Sequence, residues 1–203
     1  MQQVKSRREM YSEATRAALL EEATALFAEG GYSGTSLEDV ASASRVTRGA
    51  VYHHFAGKQA LFEAVLDAQE QRATAEVLET AAAAGSGDPW QAAMLGLDTF
   101  LHQCCDPVYG RLVWVEGPTA LGWNRWRECE QKYAYGTVER FVRDLVAAGY
   151  LADRAVDTMV KFSFWMLGGA GLALAEAAEA DKPRLRAEWR HLIVGSINAM
   201  RLP

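Results

Sequence analysis

The chain has 203 residues, half of them apolar and 23% charged, with a formal net charge of −5. A chain of this size can bury one core, or one core and a small second one, without help from disulfides or metals. The composition excludes an intrinsically disordered protein, and the acidic balance argues against wholesale attraction to nucleic acid.

The charge deficit is uneven along the chain. Residues 1–58 contain seven Lys or Arg and seven Asp or Glu, so the excess of acids lies entirely in the remainder. Almost every segment has helical periodicity, and Ala and Leu outnumber the β-branched residues. The pattern therefore predicts an all-α protein with about nine helices, the first starting at a Ser12 cap and stopping at Gly30-Gly31.

Two short helices follow. The stretch Thr35-Ser36-Leu37-Glu38 has the spacing of a capping box, so a second helix should begin at Thr35 or Ser36 and end near Ala43. Thr47 can cap a third helix that reaches about His54. The tight link between the two helices predicts a helix-turn-helix.

Longer helices fill the rest of the chain. Lys58 should begin a long helix that ends before the clearest linker, Gly85-Ser86-Gly87, and Asp88-Pro89 has the cap and first-turn proline of another. A shorter helix is expected after Asp106-Pro107. Further helices are expected from about Leu121 to Ala148, Asp153 to Ala180 and Pro183 to Arg201.

The segment around the third helix is unusually polar. A helix that enters the DNA major groove needs small residues where its backbone approaches the duplex, and donors that reach bases or phosphates. Gly49 and Ala50 meet the first need, and Arg48 can pair with guanine. The residues Tyr52, His53 and Lys58, with the helix N-termini at Thr35-Ser36 and Thr47, suit phosphates. The spacing alone leaves a solvated polar surface as the alternative.

The N-terminal quarter resembles the DNA-binding domain of the TetR family of one-component transcriptional regulators. Its motifs occur in the family's order. They are Ala23, Leu26-Phe27, Gly31-Tyr32, Thr35-Ser36, Asp39-Val40-Ala41, Val46-Thr47-Arg48-Gly49, Val51-Tyr52, His54-Phe55, Lys58 and Leu61-Phe62. One departure is Ser44, where we expect the glycine that the family places before its turn hydrophobe.

The resemblance implies two domains and a DNA-reading surface. The DNA-binding domain would be residues 1–57, and residues 58–203 would form a helical ligand-binding and dimerisation domain. The helix from Thr47 to His54 would be the recognition helix. The implied DNA contacts are Thr35, Ser36, Thr47, Arg48, Gly49, Ala50, Tyr52, His53 and Lys58.

The second half is rich in large aromatic residues, which suit an apolar ligand pocket or a helical core equally well. His102, Arg111 and Glu116 could add polar contacts to a ligand. The last two helices carry apolar stripes that favour a homodimer interface. With the family's usual ligand-binding domain, the aromatics predict a pocket among Phe100, Cys104, Trp114, Trp126, Tyr133, Phe162 and Trp165.

No segment predicts export or a membrane span. The first residues are polar and charged, and the uncharged stretch from Phe162 to Ala175 is shorter than the roughly 20 residues of a membrane helix. The three cysteines, Cys104, Cys105 and Cys129, lack zinc-site spacing and suit a reduced compartment. We therefore expect a cytoplasmic protein without a metal or cofactor.

Together these features predict a homodimeric repressor that binds a palindromic operator in double-stranded DNA and releases it when a small apolar effector binds. An activator, or a regulator of the same fold that answers to a protein partner, is the alternative. A helical enzyme using His102 or Cys104 is a remote one, because no Ser/His/Asp set or metal-spaced set supports catalysis.

Overall fold

The computed structural model describes residues 6–85 and 87–201, and these residues form nine helices and no strands. The predicted all-α fold and the number of helices are thus confirmed. Ser86 of the predicted linker lies outside the described residues. The helices are α1 (Arg7–Gly34), α2 (Leu37–Ala43), α3 (Arg48–His54), α4 (Lys58–Ala82), α5 (Pro89–Gln103), α6 (residues 110–121), α7 (residues 123–147), α8 (Val156–Glu176) and α9 (Lys182–Ala199).

Helices α6 and α7 contain π-helical stretches. In α6 the π-helix Gly110–Glu116 continues as the α-helix Gly117–Leu121. In α7 the π-helix Gln131–Tyr135 joins the α-helices Trp123–Glu130 and Gly136–Ala147. Such stretches are rare and concentrate at functional sites.

The predicted start of the first helix is wrong. The cap of α1 is Ser6 and not Ser12: the Ser6 hydroxyl accepts from the Glu9 amide, and the Glu9 carboxylate accepts from the Ser6 amide. Further along the chain, α6 accommodates Pro118 because this residue lies in a first helical turn, where its missing N–H is tolerated. The break between α6 and α7 falls at Gly122, whose φ is +75°.

The chain divides into two compact units, the first ending at Asp67 and the second beginning at Ala68. The division lies within α4, not at its start, because Leu61 and Phe62 are fully buried in the first unit. The Phe62 ring meets Phe27 of α1 edge to face, with centroids 5.0 Å apart. The N-terminal turns of α4 are therefore part of the first unit's core.

The turn between α2 and α3 requires a left-handed residue. Ser44 has ordinary helical angles, whereas Arg45 has a φ of +54°. The amides of Arg45 and Val46 donate to the carbonyls of Ser42 and Ala41, which is the Schellman pattern that normally places glycine at the left-handed position. The departure from the family's glycine therefore falls at Arg45, and the prediction that it falls at Ser44 is wrong.

In the second unit, α8 packs against α6, α7 and α9. By length and composition, α8 is long and apolar enough to cross a membrane. It has 21 residues and extends beyond the uncharged stretch from Phe162 to Ala175. Its buried residues include Met159, Phe164 and Leu174. Core helices of soluble proteins have the same composition, so α8 is weak evidence for a span.

Gly171 of α8 allows the Trp114 ring to lie directly on the helix backbone. A Cβ atom at position 171 would lie 2.6 Å from that ring, whereas one at Gly168 would have no neighbour nearer than 3.9 Å. Gly171 therefore serves close packing within the subunit.

We expect Gly171→Ala to lower the free energy of unfolding by roughly 1–3 kcal/mol, because a rigid indole ring must shift to admit the methyl group. Gly168→Ala is the matched control and should unfold at or above the parent's temperature. Thermal unfolding followed by circular dichroism measures both. Equal effects of the two substitutions would contradict the packing described for Gly171.

Candidate functional site

The apolar side of α3 packs against the first unit, and the other side of the helix faces solvent. Val51 is fully buried and Phe55, immediately after the helix, is 4% exposed. The N-cap is Thr47, as predicted, and its hydroxyl accepts from the Ala50 amide at 3.2 Å. The predicted DNA-contact residues of α3 and its cap are at the surface, Ala50 partly so. They are Thr47, Arg48, Gly49, Ala50, Tyr52 and His53.

Thr35 differs from the other predicted contact residues. It is 5% exposed, and its hydroxyl lies 3.0 Å from the carbonyl oxygens of Leu26 and Gly31, to which it can donate. The hydroxyl therefore joins α2 to the end of α1. The buried Thr35 side chain is therefore not placed to contact DNA.

Ser36, Tyr52 and Lys58 lie together on one open groove of the first unit. Ser36 is the N-cap of α2, and its hydroxyl accepts from the Asp39 amide. The Asp39 carboxylate in turn accepts from the Ser36 hydroxyl and from the Ser36 amide, and these two hydrogen bonds lower the pKa of Asp39. The charge of Lys58 adds to the effect. The predicted capping box is present, with Asp39 rather than Glu38 as the reciprocal acid.

Lys58 begins α4, and its ammonium lies 4.4 Å from the centre of the Tyr32 ring. The ring holds the side chain by a cation–π interaction. The positive end of the α4 helix dipole and the Lys58 ammonium therefore lie in the same short segment. Such segments suit phosphate oxygens.

Arg48 is held by two neighbours at the protein surface. Its guanidinium lies 2.6 Å from the Glu38 carboxylate of α2 and donates to the Tyr52 hydroxyl at 3.2 Å. The hydrogen bond to Tyr52 and the charge of Glu38 raise the pKa of Arg48. Both partners are exposed, so the ion pair is weak enough to exchange for a DNA base or phosphate.

Gly49 has open space around it. A Cβ atom there would meet only the Thr47 hydroxyl, at 3.8 Å, and its φ is not in the left-handed region. Nothing within the described part of the first unit therefore requires glycine at this position. The observation favours a role for Gly49 in close approach of an external molecule.

His53 and His54 are in edge contact, with ring centroids 5.2 Å apart. His53 is exposed and His54 is half-buried. Burial lowers the pKa of His54, and the charges of His53 and Arg16 lower it further. His54 therefore stays neutral near pH 7 and serves packing.

The second unit contains a cavity of about 140 Å³ lined mainly by apolar side chains. Four of the predicted ligand residues line it: Phe100, Trp114, Trp126 and Trp165. The Phe100 and Trp126 rings each meet Trp114 edge to face, with centroids 6.2 Å and 5.8 Å away.

Three predicted ligand residues are not part of the cavity lining. Cys104 is fully buried beside it, and burial raises the pKa of its thiol well above the usual value. The Tyr133 hydroxyl instead accepts from Gln71 at 3.1 Å. Phe162 is 50% exposed. These placements contradict the prediction that all three contact a ligand in this cavity.

The three residues predicted to give a ligand polar contacts also lie outside the cavity lining. His102 is exposed and its Nδ1 lies 3.1 Å from Arg186, while Arg111 and Glu116 form an ion pair at 3.6 Å. The cavity has instead polar residues that the sequence reasoning missed, namely Glu70, Gln103, Tyr109, Arg127 and Glu130. Among the described residues, no group of three or more His, Cys, Asp or Glu could hold a metal ion.

A signal for the missed carboxylates was present in the sequence. Glu70 lies four residues after Leu66 and three before Ala73, on the apolar stripe of α4, and Glu130 lies four residues after Trp126. A carboxylate inside an apolar helical stripe indicates a buried charge.

An apolar strip remains exposed on α8 and α9. Phe162, Trp165 and Leu172 of α8 are 40–50% exposed, and Leu192 of α9 is 61% exposed. Large exposed apolar groups in one region mark contact surfaces. We call these four residues the α8–α9 strip.

The chain is similar to bacterial transcription regulators over most of its length. A family model described as "Bacterial regulatory proteins, tetR family" matches residues 19–65, and one described as "Tetracyclin repressor-like, C-terminal domain" matches residues 90–195. A crystal structure of a TetR-family transcriptional regulator from Pectobacterium atrosepticum superimposes with a TM-score of 0.81. It is 23% identical, with 98% of this chain and 99% of that chain covered.

Two curated relatives share part of their length with this chain. The A-factor receptor protein of Streptomyces griseus is 25% identical over 187 residues, which are 86% of this chain and 61% of the receptor. The probable acrEF/envCD operon repressor of Escherichia coli K12 is 42% identical over 78 residues, 38% of this chain and 34% of the repressor. The matches thus span about one third to three fifths of these relatives.

We expect Arg48→Ala to relax base preference and to weaken binding to a preferred duplex by roughly 1–3 kcal/mol, because a bidentate base contact is lost. Lys58→Ala should weaken binding to all duplexes alike and reduce the salt slope by about one, because only a phosphate contact is lost. Fluorescence anisotropy with a duplex selected from random DNA, its single-base variants and an unrelated duplex, at several salt concentrations, measures both effects. Parent-like binding by both variants would refute the contact assignment.

Gly49→Ala should separate stability from DNA binding. The methyl group raises helix propensity, so stability should rise by up to about 1 kcal/mol. Affinity for the selected duplex should fall about tenfold or more, which corresponds to about 1.4 kcal/mol. Gly136→Ala is the control, because that glycine is exposed in α7 with no neighbour within 4 Å of an added Cβ. Unchanged affinity in Gly49→Ala would exclude close approach at this position.

Proposed function

The chain belongs to the TetR family of bacterial transcriptional regulators, and we propose that it is a homodimeric repressor released from a palindromic operator by a small molecule. The single observation that carries DNA reading is the outward face of α3. Thr47, Arg48 and Tyr52 are exposed there, and Gly49 has open space beside its backbone. A short helix with donors at its amino end and a bare backbone position suits the major groove.

Dimerisation supports this function for a physical reason. A single seven-residue recognition helix buries little surface, whereas two copies read two half-sites and combine their free energies. The α8–α9 strip supports a second copy of the chain as its partner, since a self-complementary patch closes a twofold dimer. Phe162 is then an interface residue, and not the ligand contact that the sequence predicted.

Release requires a ligand that binds one conformation better than the other. A molecule with equal affinity for the DNA-binding and the released forms would shift nothing. The cavity of about 140 Å³ is the proposed ligand site. Helix α4 is the proposed lever, because it is continuous from Lys58 to Ala82 and contributes Leu61 and Phe62 to the first unit and Glu70 to the cavity.

The names of two relatives support repression and a response to a ligand. One relative is named as a probable operon repressor and another as a receptor for A-factor. An enzymatic role has less support, because burial keeps the Cys104 thiol protonated and His102 lies at the surface beside Arg186. Cytoplasmic localisation follows from the proposal, since the operator lies there.

We expect the parent protein to sediment as a dimer and to protect two half-sites about one helical turn apart in a footprint of a selected duplex. Leu192→Glu should give a folded monomer with strongly reduced DNA affinity, because two charges would be buried in the interface. Sedimentation equilibrium and footprinting measure these outcomes.

The matched control is Ala187→Glu, which places the same charge on an exposed position of α9 outside the strip. It should remain dimeric and bind DNA as the parent does. A parent protein that stays monomeric at all concentrations, or a Leu192→Glu variant that remains a dimer, would contradict the proposed interface.

A further inference from the structure

One side of the cavity in the second unit is acidic. Glu70 and Glu130 line it and are 2% and 4% exposed. The Tyr109 hydroxyl donates to the Glu70 carboxylate at 2.8 Å. Burial and the charge of Glu70 raise the pKa of Glu130 well above its usual value. We call Glu70, Tyr109 and Glu130 the acidic side of the cavity.

Gln103, another lining residue, carries a polar atom without a partner. The Gln103 amide nitrogen donates to the Ala73 carbonyl at 3.1 Å and to the Glu76 carboxylate at 2.9 Å. Because both of these partners are acceptors, the orientation of the amide is set, and its oxygen is left buried without a donor. Gln103 is 8% exposed.

Two of the three tryptophans of the lining have a partner for the indole N–H. The Trp126 indole N–H donates to the Val113 carbonyl at 2.8 Å. The Trp114 indole N–H lies beside the buried Cys104 thiol and stabilises it as a weak donor. Buried polar groups are normally paired, so the unpaired Gln103 oxygen indicates a ligand that supplies a donor.

The rest of the lining is apolar and aromatic, which favours an organic cation over a metal ion. Hard metal ions need six or more oxygen ligands, and no cluster of potential metal ligands occurs among the residues described. Aromatic faces such as those of Phe100, Trp114 and Trp126 attract ammonium groups. Arg127 also lines the cavity, so the charged residues of the lining are two glutamates and one arginine, an excess of one acid.

The size of the cavity restricts the ligand. Its volume of about 140 Å³ is close to that of an engineered cavity of about 150 Å³ that admits benzene. A ring with a short charged arm matches this space.

We propose that the effector is a compact organic ammonium whose charged group contacts Glu70, Glu130 and the Gln103 carbonyl oxygen, with its ring against the tryptophans. The inference rests on the proposed function, because it names the chemical class of the effector. It also revises the expectation of a purely apolar molecule, because a positive charge is favourable beside two buried carboxyl groups.

The test uses three probes of similar shape on the full-length chain. Calorimetric titration at pH 7 compares 2-phenylethylamine, which is cationic, with neutral 2-phenylethanol and anionic phenylacetate. We expect the amine to bind at least tenfold more tightly than the alcohol, and phenylacetate to bind most weakly. Equal or tighter binding of the alcohol or of phenylacetate, or no binding of the amine at millimolar concentration, would overturn the proposal.

Substitutions of the two buried glutamates test where the ammonium group of the ligand binds. Glu130→Gln should weaken amine binding at least tenfold and change alcohol binding less than threefold, and Glu70→Gln is a second variant if the first does not fold. Glu79→Gln is the control, because Glu79 is exposed on α4 and is not part of the lining. Parent-like amine affinity in a folded Glu130→Gln or Glu70→Gln variant would place the ammonium elsewhere and refute the assignment.

Release of a selected duplex is measured separately, so that the two proposals fail in different ways. If the amine binds through the acidic side while the DNA complex persists, the ligand class stands and the proposed release mechanism is wrong. If only a neutral molecule releases the DNA, the proposed function stands and the ammonium assignment is wrong.

Discussion

The DNA-reading surface depends on the burial of Val51 and Phe55. A helix of seven residues is not stable alone, because its nucleation cost exceeds the few hydrogen bonds that it gains. Burying each of these side chains contributes about 1.5–3 kcal/mol, and the Thr47 cap supplies a partner for an amide of the first turn. The same seating that makes α3 possible directs Arg48, Gly49 and Tyr52 outward. Stability and DNA recognition are therefore properties of opposite sides of one helix.

The second unit combines a closely packed aromatic core with a cavity that contains polar groups. Its core is built from closely packed aromatic rings, with Trp114 lying on the bare backbone at Gly171. The same rings line a cavity that also contains two carboxyl groups and the unpaired Gln103 oxygen, and each of these is unfavourable in an empty apolar core. Tyr109 and Glu130 directly precede the two π-helical stretches. A protein selected for stability alone would bury apolar residues at these positions, so the polar lining is explained best by a ligand.

Sequence patterns predicted most of the fold but only part of the sites. The caps at Ser36, Thr47 and Asp88 occur as predicted, because each involves residues a few positions apart. Side chains whose surroundings come from distant segments were misassigned or missed. Thr35 faces α1 rather than solvent, Phe162 faces outward rather than a ligand, and the buried Glu70 and Glu130 were not identified from the sequence.

The sequence by itself determined the helices, their order and the resemblance to TetR regulators, because caps, periodicity and motif spacing act through local backbone geometry. The tertiary structure alone decided which residue of the turn is left-handed, which aromatic rings line a cavity and which carboxylates are buried. Those properties arise from contacts between helices that are far apart in the chain. Periodicity places a side chain on one side of its helix, but only packing decides whether that side meets solvent, protein or a cavity.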